Sequence, residues 1–265
     1  MAAWAASQGG SVSEMTTVAV VNVRMESTRL PGKALRDVCG KPLLERLLDR
    51  LRLARSVDRI VVATSVRPAN DAIESFCQAR RIECFRGSED DVLSRLLGAL
   101  NAARATTGVV VFGDGPLVDP AIIDNVVGEY RRATPPYHFV GNDLKTTYPP
   151  GMEVEVFSVA ALADADRKCS DPAVREHGTL YLRLNPGTYR LLNVEAPAQL
   201  RRPDLELEVD TAADLQVLEW VITRFGTRTD FSLADIIRLL DAQPQLTAIN
   251  RDVPRRWKEF RSDGD

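Results

Sequence analysis

Histidine is nearly absent from this chain: His138 and His177 are the only two in 265 residues, which argues against His-based triads and multi-histidine metal sites. The four cysteines, Cys39, Cys77, Cys84 and Cys169, include no C-x-x-C pair, so neither a zinc site nor a disulfide framework is indicated, and reduced, mostly buried thiols are expected. Any metal would have to rest on carboxylates. No apolar run reaches the roughly 18 residues of a membrane span, and the opening MAAWAASQGGSVSEMT lacks a basic segment followed by a sustained apolar one. A cytoplasmic protein with a loose tail over residues 1–16 is expected. Excess positive charge is missing too. A net charge of −3 and a pI near 5.6 argue against nucleic acid or an anionic membrane as partner, while leaving room for a local basic pocket. Neither GxxxxGK[ST] nor GxGxxG occurs in the first loop, which disfavours a P-loop ATPase and a nicotinamide dehydrogenase.

What is present is the pattern of an α/β domain. Hydrophobic content of 45% and charged content of 27% are those of an ordinary globular chain long enough for a substantial core. Short β-branched runs at residues 18–23, 59–64, 82–86 and 108–112 predict strands. Helices are predicted between them: residues 42–54 with Leu43, Leu44, Leu47, Leu48 and Leu51 in register, a helix opened by Pro68, and one capped by Asp90 or Asp91. This alternation predicts a mainly parallel sheet with helices on both faces. From residue 137 the pattern changes. Residues 137–141 and 189–194 predict strands, and residues 152–157 alternate Met152, Val154 and Val156 with Glu153 and Glu155, predicting a half-exposed antiparallel strand that builds a lid or a dimer contact. Residues 171–185 read as one helix capped by Asp171, and residues 205–209 as a last strand. Thr211 and Asp214 form a capping box for the next helix, and residues 232–242 form the final one. The domain is expected over residues 17–242, followed by a C-terminal extension, 243–265, whose tail packs only through Trp257 and Phe260.

Ligands of such sheets bind beyond the carboxyl ends of the strands, and two loops leave from such ends. The first, RMESTRLPGK, carries Arg24, Arg29 and Lys33 among small residues, a composition suited to holding phosphates by charge and backbone N–H groups; a solvated connection would serve equally. The second, GDGPLVDP, puts Asp114 between two glycines, where its partner is either its own turn or a ligand. Asp119 and Pro120 there are the N-cap and first residue of a helix. Asp210 lies just before the Thr211 cap, where helix-dipole stabilisation is an alternative role. Cations together with two aspartates suit nucleotidyl transfer, since Mg2+ takes carboxylate and phosphate oxygens rather than a protein cage.

The segment RMESTRLPGKALRDVCGKPLL resembles the nucleotide-binding signature of the sugar cytidylyltransferases, the group that includes CMP-Kdo synthetase and the spore-coat polysaccharide biosynthesis protein F type. VVATSVRPANDAI, FRGSEDDVLSRL, GDGPLVDPAII, TYPPGMEVEVFS, REHGTLYLRLNP and VDTAADLQVL resemble later family blocks in the same order. The resemblance implies a three-layer α/β/α nucleotide-diphosphosugar transferase fold, Rossmann-like, with an antiparallel excursion. It also implies a homodimer joined through residues 148–157, and transfer of CMP from CTP to a sugar acid or related acceptor with release of pyrophosphate, for surface polysaccharide or glycolipid synthesis. By the same resemblance Arg24, Ser27, Arg29 and Lys33 would contact the CTP phosphates, Ala63 and Thr64 would lie near the base, and Asp114 and Asp210 would hold Mg2+. Arg24, Lys33 and Asp114 would be the catalytic set, and Arg175 and His177 would lie on the acceptor side, where an ordinary helix position is the alternative for His177. The chain departs from the family pattern at Asn22 and Val23, at Phe112, and at Leu207 and Glu208, which bears on base and acceptor contacts. The competing expectations are a transferase of this fold using another nucleotide or a phosphonate acceptor, and a non-catalytic regulator that retains the fold.

Overall fold

A computed structural model of the chain describes residues 16–255. Trp257 and Phe260, expected to anchor the tail, lie outside the described residues. In chain order the elements are β1 (Thr17–Asn22), a short hairpin of β2 (Asp37–Val38) and β3 (Lys41–Pro42), α1 (Leu43–Leu51), β4 (Arg59–Ser65), α2 (Asp71–Ala79), β5 (Glu83–Gly87), α3 (Val92–Ala102) and β6 (Thr107–Phe112). Then come α4 (Pro120–Arg132), β7 (Phe139–Gly141), β8 (Val154–Ser158), α5 (Val159–Lys168), α6 (Pro172–Arg175), α7 (Leu180–Leu184) and β9 (Leu191–Asn193). Three helices follow: α8 (Ala212–Phe225), α9 (Leu233–Asp241) and α10 (Pro244–Thr247).

Seven strands form one sheet in the order β5-β4-β1-β6-β8-β7-β9. The chain runs outward from β1 through β4 to β5, then returns to place β6 on the other side of β1, parallel to it and paired from Thr17 with Thr107 to Asn22 with Phe112. The connections therefore diverge between β1 and β6, opening a crevice at the carboxyl ends of those two strands. β8 is antiparallel to both β6 and β7, while β7 and β9 are parallel.

Helices cover both faces, which is why β1 can be apolar on both. Ala19 and Val21 join the core under α1, α4, α8 and α9, whereas Val18 and Val20 join the core under α3 and α5. The α1 stripe is buried as its leucine spacing predicts, but Arg50 in the same helix is buried as well. Its guanidinium donates to the carbonyls of Val118, Thr229 and Phe231 at 2.9, 2.8 and 3.0 Å and lies over the Phe231 ring. Burial lowers its pKa to about 10, still far above neutrality, so it ties the α1 layer to the loop before α9 as a cation.

Several expectations fail for identifiable reasons. β8 is antiparallel as predicted but buried on both faces, because Glu155 is paired with Arg183 at 3.3 Å and accepts from Thr179 Oγ1 at 2.7 Å. It is therefore neither half-exposed nor a lid. Residues 148–157 are buried in the chain's own fold apart from partly exposed Glu153, so the expected dimer contact has almost no surface there. The single helix over residues 171–185 is broken in two at Gly178, whose φ is +61° and whose Cβ position would fall 2.7 Å from Leu96 Cδ1. Residues 205–209 form no strand. They are held instead by Leu207 N–H to the Pro150 carbonyl at 2.9 Å and Val209 N–H to the Asp114 carbonyl at 2.8 Å, with a bend at Glu208. Gly151 makes that passage possible: with φ of +98°, its Cβ position would lie 2.6 Å from the Leu207 carbonyl carbon. The C-terminal stretch is more tightly packed than expected. Leu246 joins the core, and buried Arg255 donates to Asp214 at 2.6 Å beside Glu206 and Glu208.

Candidate active site

A cleft of about 430 Å³ opens at the carboxyl ends of β1 and β6. One wall is the loop after β1. Its backbone closes on the Met25 carbonyl, which accepts from Ser27 and Gly32 at 3.0 Å each, while Met25 N–H is held by buried Asn70 at 2.8 Å. Leu30 plugs into the core, so Ser27, Arg29 and Lys33 are presented from a fixed frame. Ser27 Oγ also accepts from Leu30 N–H at 3.3 Å, a turn contact that leaves the residue on the cleft wall.

The two loops predicted to matter meet a third. Lys33 Nζ donates to Asp210 Oδ1 at 2.8 Å and to the Val209 carbonyl at 2.9 Å, and lies 3.4 Å from Asp114 Oδ2. Arg29 bonds the other Asp210 oxygen and donates to the Pro254 carbonyl at 2.8 Å. One ammonium thus joins aspartates 96 positions apart in the sequence. Burial alone would lower the Lys33 pKa, but Asp114 and Asp210 outweigh it and hold it above the ordinary value. Burial would likewise raise Asp210, and Lys33 and Arg29 keep it below the usual carboxylate range. Glu208, which the sequence marks only as a departure from the family pattern, is pushed up to about 10 by burial and by the charges of Asp114, Glu153 and Asp210.

These features fit a divalent cation. The carboxylates of Asp114, Glu208 and Asp210 are crowded together, and a lysine ammonium stands between Asp114 and Asp210. Asp114 is 35% exposed, open to the cleft, and Asp210 is 14% exposed. Among the described residues no group of three His, Cys, Asp or Glu side chains is placed to hold a metal. An ion on Asp114 and Asp210 would complete its shell with phosphate and water oxygens, as Mg2+ commonly does.

Arg24 also lines the cleft, paired with buried Glu89 at 2.9 Å. His177 reaches the cleft from the turn between α6 and α7. Ala63 and Thr64 are fully buried in β4 and are not among the residues lining the cleft, but Ala63 pairs with cleft-lining Asn22 and its carbonyl accepts from Val23 N–H at 3.1 Å, so the strand runs directly behind that wall. Arg175 does not line the cleft either. Its guanidinium is consumed by Asp91 at 2.7 Å, Asp166 at 2.6 Å and the Cys169 carbonyl at 2.8 Å, which hold its pKa above the ordinary value and join α6 to the cap of α3.

Other wall residues carried weaker signals. Arg95 falls in the apolar series Val92, Arg95, Leu96, Ala99, a charge at a core-facing position that the sequence alone could have flagged. Asp143, Glu155 and Arg183 form a pair-and-bridge on the far wall, with Arg183 Nη1 at 2.9 Å from Asp143 and 3.3 Å from Glu155. The two carboxylates are 1% and 2% exposed.

Comparison with known proteins agrees with this geometry. Residues 18–247 match the family described as cytidylyltransferase. The chain is 33% identical over 230 residues to the spore coat polysaccharide biosynthesis protein SpsF of Bacillus subtilis, covering 85% of this chain and 94% of the relative. It is 35% identical over 113 residues to the 3-deoxy-manno-octulosonate cytidylyltransferase of Geobacter sulfurreducens, covering 43% and 44%. Among solved structures, a cytidylyltransferase from Leptospira borgpetersenii superposes with a TM-score of 0.83 at 27% identity over 91% of this chain and 99% of that one. The fold is that of the nucleotide-diphosphosugar transferases, and the chain belongs to the cytidylyltransferase family.

Proposed function

We propose that this cytidylyltransferase moves CMP from CTP to a hydroxyl of a sugar acid or related small acceptor, releasing pyrophosphate, with Mg2+ on Asp114 and Asp210. The observation that carries the reading is Lys33, which joins both aspartates at the mouth of the β1–β6 crevice. In the free chain the cations and carboxylates neutralise one another. A triphosphate draws Arg24, Arg29 and Lys33 onto its oxygens, Ser27 adds a donor, and the two aspartates are left facing a metal ion. That ion, when bound, would offset charge on the phosphates as the pyrophosphate departs. The acceptor oxygen forms its bond to the α-phosphorus as the bond to pyrophosphate breaks, so the chain's task is positioning and charge stabilisation. The name of the Bacillus subtilis relative supports polysaccharide synthesis as the setting. Reduced thiols and the lack of a membrane-spanning helix among the described residues are compatible with the cytoplasm, and a homodimer would use surfaces outside residues 148–157. Pyrophosphate release should require CTP, Mg2+ and an acceptor, and should be lost in Asp114→Ala with melting temperature retained; full activity of that variant would refute the metal assignment.

A second reading concerns the acceptor. The cleft also carries Asp143, Glu155 and Glu176 together with Arg183 and His177, more carboxylates than cations, which favours an amine-bearing or neutral polyol acceptor over a free carboxylate. Assaying pyrophosphate release with matched sugar acids, amino sugars and polyols separates the two.

A further inference from the structure

Resting on the cytidylyltransferase reading, we propose that Asn22 selects cytosine by donating from its side-chain amide to the N3/O2 edge of the base, and that Arg95 is the positioning residue that fixes the amide in that orientation. Asn22 ends β1 and lines the cleft, as does Arg24 two residues further on. The partner of Asn22 across the ladder is Phe112; both line the cleft, and Phe112 packs against the core layer that contains Val92, whereas Val23 belongs to the layer on the other face of the sheet. An apolar slot with one polar edge is the form expected of a subsite for a flat ring. The ring of Phe112 gives a face for the base to lie on, and Asn22 gives the edge that reads it.

The orientation of the amide follows from donor and acceptor chemistry. Arg95 Nη2 lies 2.8 Å from Asn22 Oδ1, and a guanidinium can only donate, so the amide oxygen must face it. Arg95 cannot turn away. It is 2% exposed, and its Nη1 is bound to the Ser88 and Glu89 carbonyls. Asn22 Nδ2, which has no partner among the described residues, is then left to present donors only. Cytosine offers two adjacent acceptors, N3 and O2, to such a group. Uracil offers O2 but carries a proton on N3, which would meet the amide N–H head on. A free asparagine could turn over and serve either base; one held by Arg95 cannot.

The test is calorimetric titration of CTP, UTP and 3-deaza-CTP, each with Mg2+, into the wild-type chain and into Asn22→Asp and Arg95→Lys. The wild type should favour CTP over UTP by at least about tenfold, and 3-deaza-CTP, which lacks only the N3 acceptor, should bind about tenfold more weakly than CTP, the worth of one hydrogen bond whose partner is left unpaired. Asn22→Asp, isosteric and able to pair with Arg95, should bring the CTP:UTP ratio to about one or below. Arg95→Lys keeps the charge without the rigid fork, and should give an intermediate ratio. The 3-deaza-CTP arm needs no substitution and so stands whether or not the variants fold. Equal binding of CTP and 3-deaza-CTP, or a wild-type ratio surviving in Asn22→Asp, would overturn the role of Asn22 while leaving CTP as the substrate. A wild type that binds CTP no better than UTP would overturn both this role and the choice of CTP.

Discussion

The two walls of the cleft both hold ion pairs and are built in opposite ways. The near wall, on β1 and β6, holds cations on a loop whose backbone is closed by local hydrogen bonds, and their carboxylate partners arrive from residues 114 and 210. These pairs are partly open, so a polyanion can take the cations over. The far wall holds carboxylates on strands and turns of the second half, and its central pairs, Arg183 with Asp143 and Glu155, are almost closed to water. There the charges hold the wall together. The difference teaches that an ion pair at a site can be exchangeable or structural, and that exposure rather than distance tells which.

Substitutions can break that contrast, starting with the largest effect. Lys33→Ala should reduce pyrophosphate release by about 10³-fold or more, the scale on which a donor to a developing negative charge acts. It should cost little stability, since Arg29 remains on Asp210. Arg183→Ala should do the reverse: by leaving two buried carboxylates without their guanidinium it should destabilise by about 3 kcal/mol, seen as a lower denaturant midpoint, while CTP still raises the melting temperature at concentrations that stabilise the wild type. If Arg183→Ala kept its stability and lost only activity, the far wall would be exchangeable like the near one.

Two smaller effects sharpen the boundary around the site. Burial would raise the Asp214 pKa, but hydrogen bonds from Arg255, Asn250 and Thr211 hold it below the ordinary carboxylate value. A depressed folded-state pKa stabilises above the unfolded value, near 4, and that contribution disappears as pH falls through the folded value. Asp214→Asn should therefore lower stability at pH 7 by about 1–2 kcal/mol and flatten its decline below pH 4, measured by urea denaturation across pH. Arg175→Lys should be the mildest. The α3–α6 link would weaken by about 1 kcal/mol or less, and the KM for CTP should remain within about twofold of wild type, because Arg175 lies off the cleft wall.

The same two regions differ in how far the sequence discloses them. Residues 17–112 mostly follow their patterns because β1, β4 and β6 are buried over most of their length and α1 and α3 show leucine stripes, so burial and residue type coincide. Beyond residue 137 they separate. Glu155 alternates with valines and reads as solvent-facing, yet Arg183 and Thr179 satisfy it inside. LELEV has the composition of a strand but lies against a turn at Pro150 and the Asp114 carbonyl, with no neighbouring strand to form a ladder. Gly178 was visible as a weak point in a helix, and its positive φ turns the weakness into a break. In the site, Arg24, Arg29, Lys33, Asp114 and Asp210 stand out by residue type and strand-end position and Ser27 by resemblance, and all six line one cleft. Ala63 and Thr64 are buried in the strand behind Asn22, and Arg175 is held by Asp91 and Asp166 off the cleft wall. Glu208 and Asn22 show in the sequence only as departures from the family pattern, since their character comes from neighbours distant in the chain: a crowd of carboxylates for one, a buried arginine for the other.

The most direct test of the account is a crystal structure of the chain with CTP and Mg2+. The account predicts one ion bound by both Asp114 and Asp210, with Lys33 Nζ moved from the aspartates to a phosphate oxygen. A triphosphate bound in the cleft with its ion on neither aspartate, and Lys33 still between them, would contradict it.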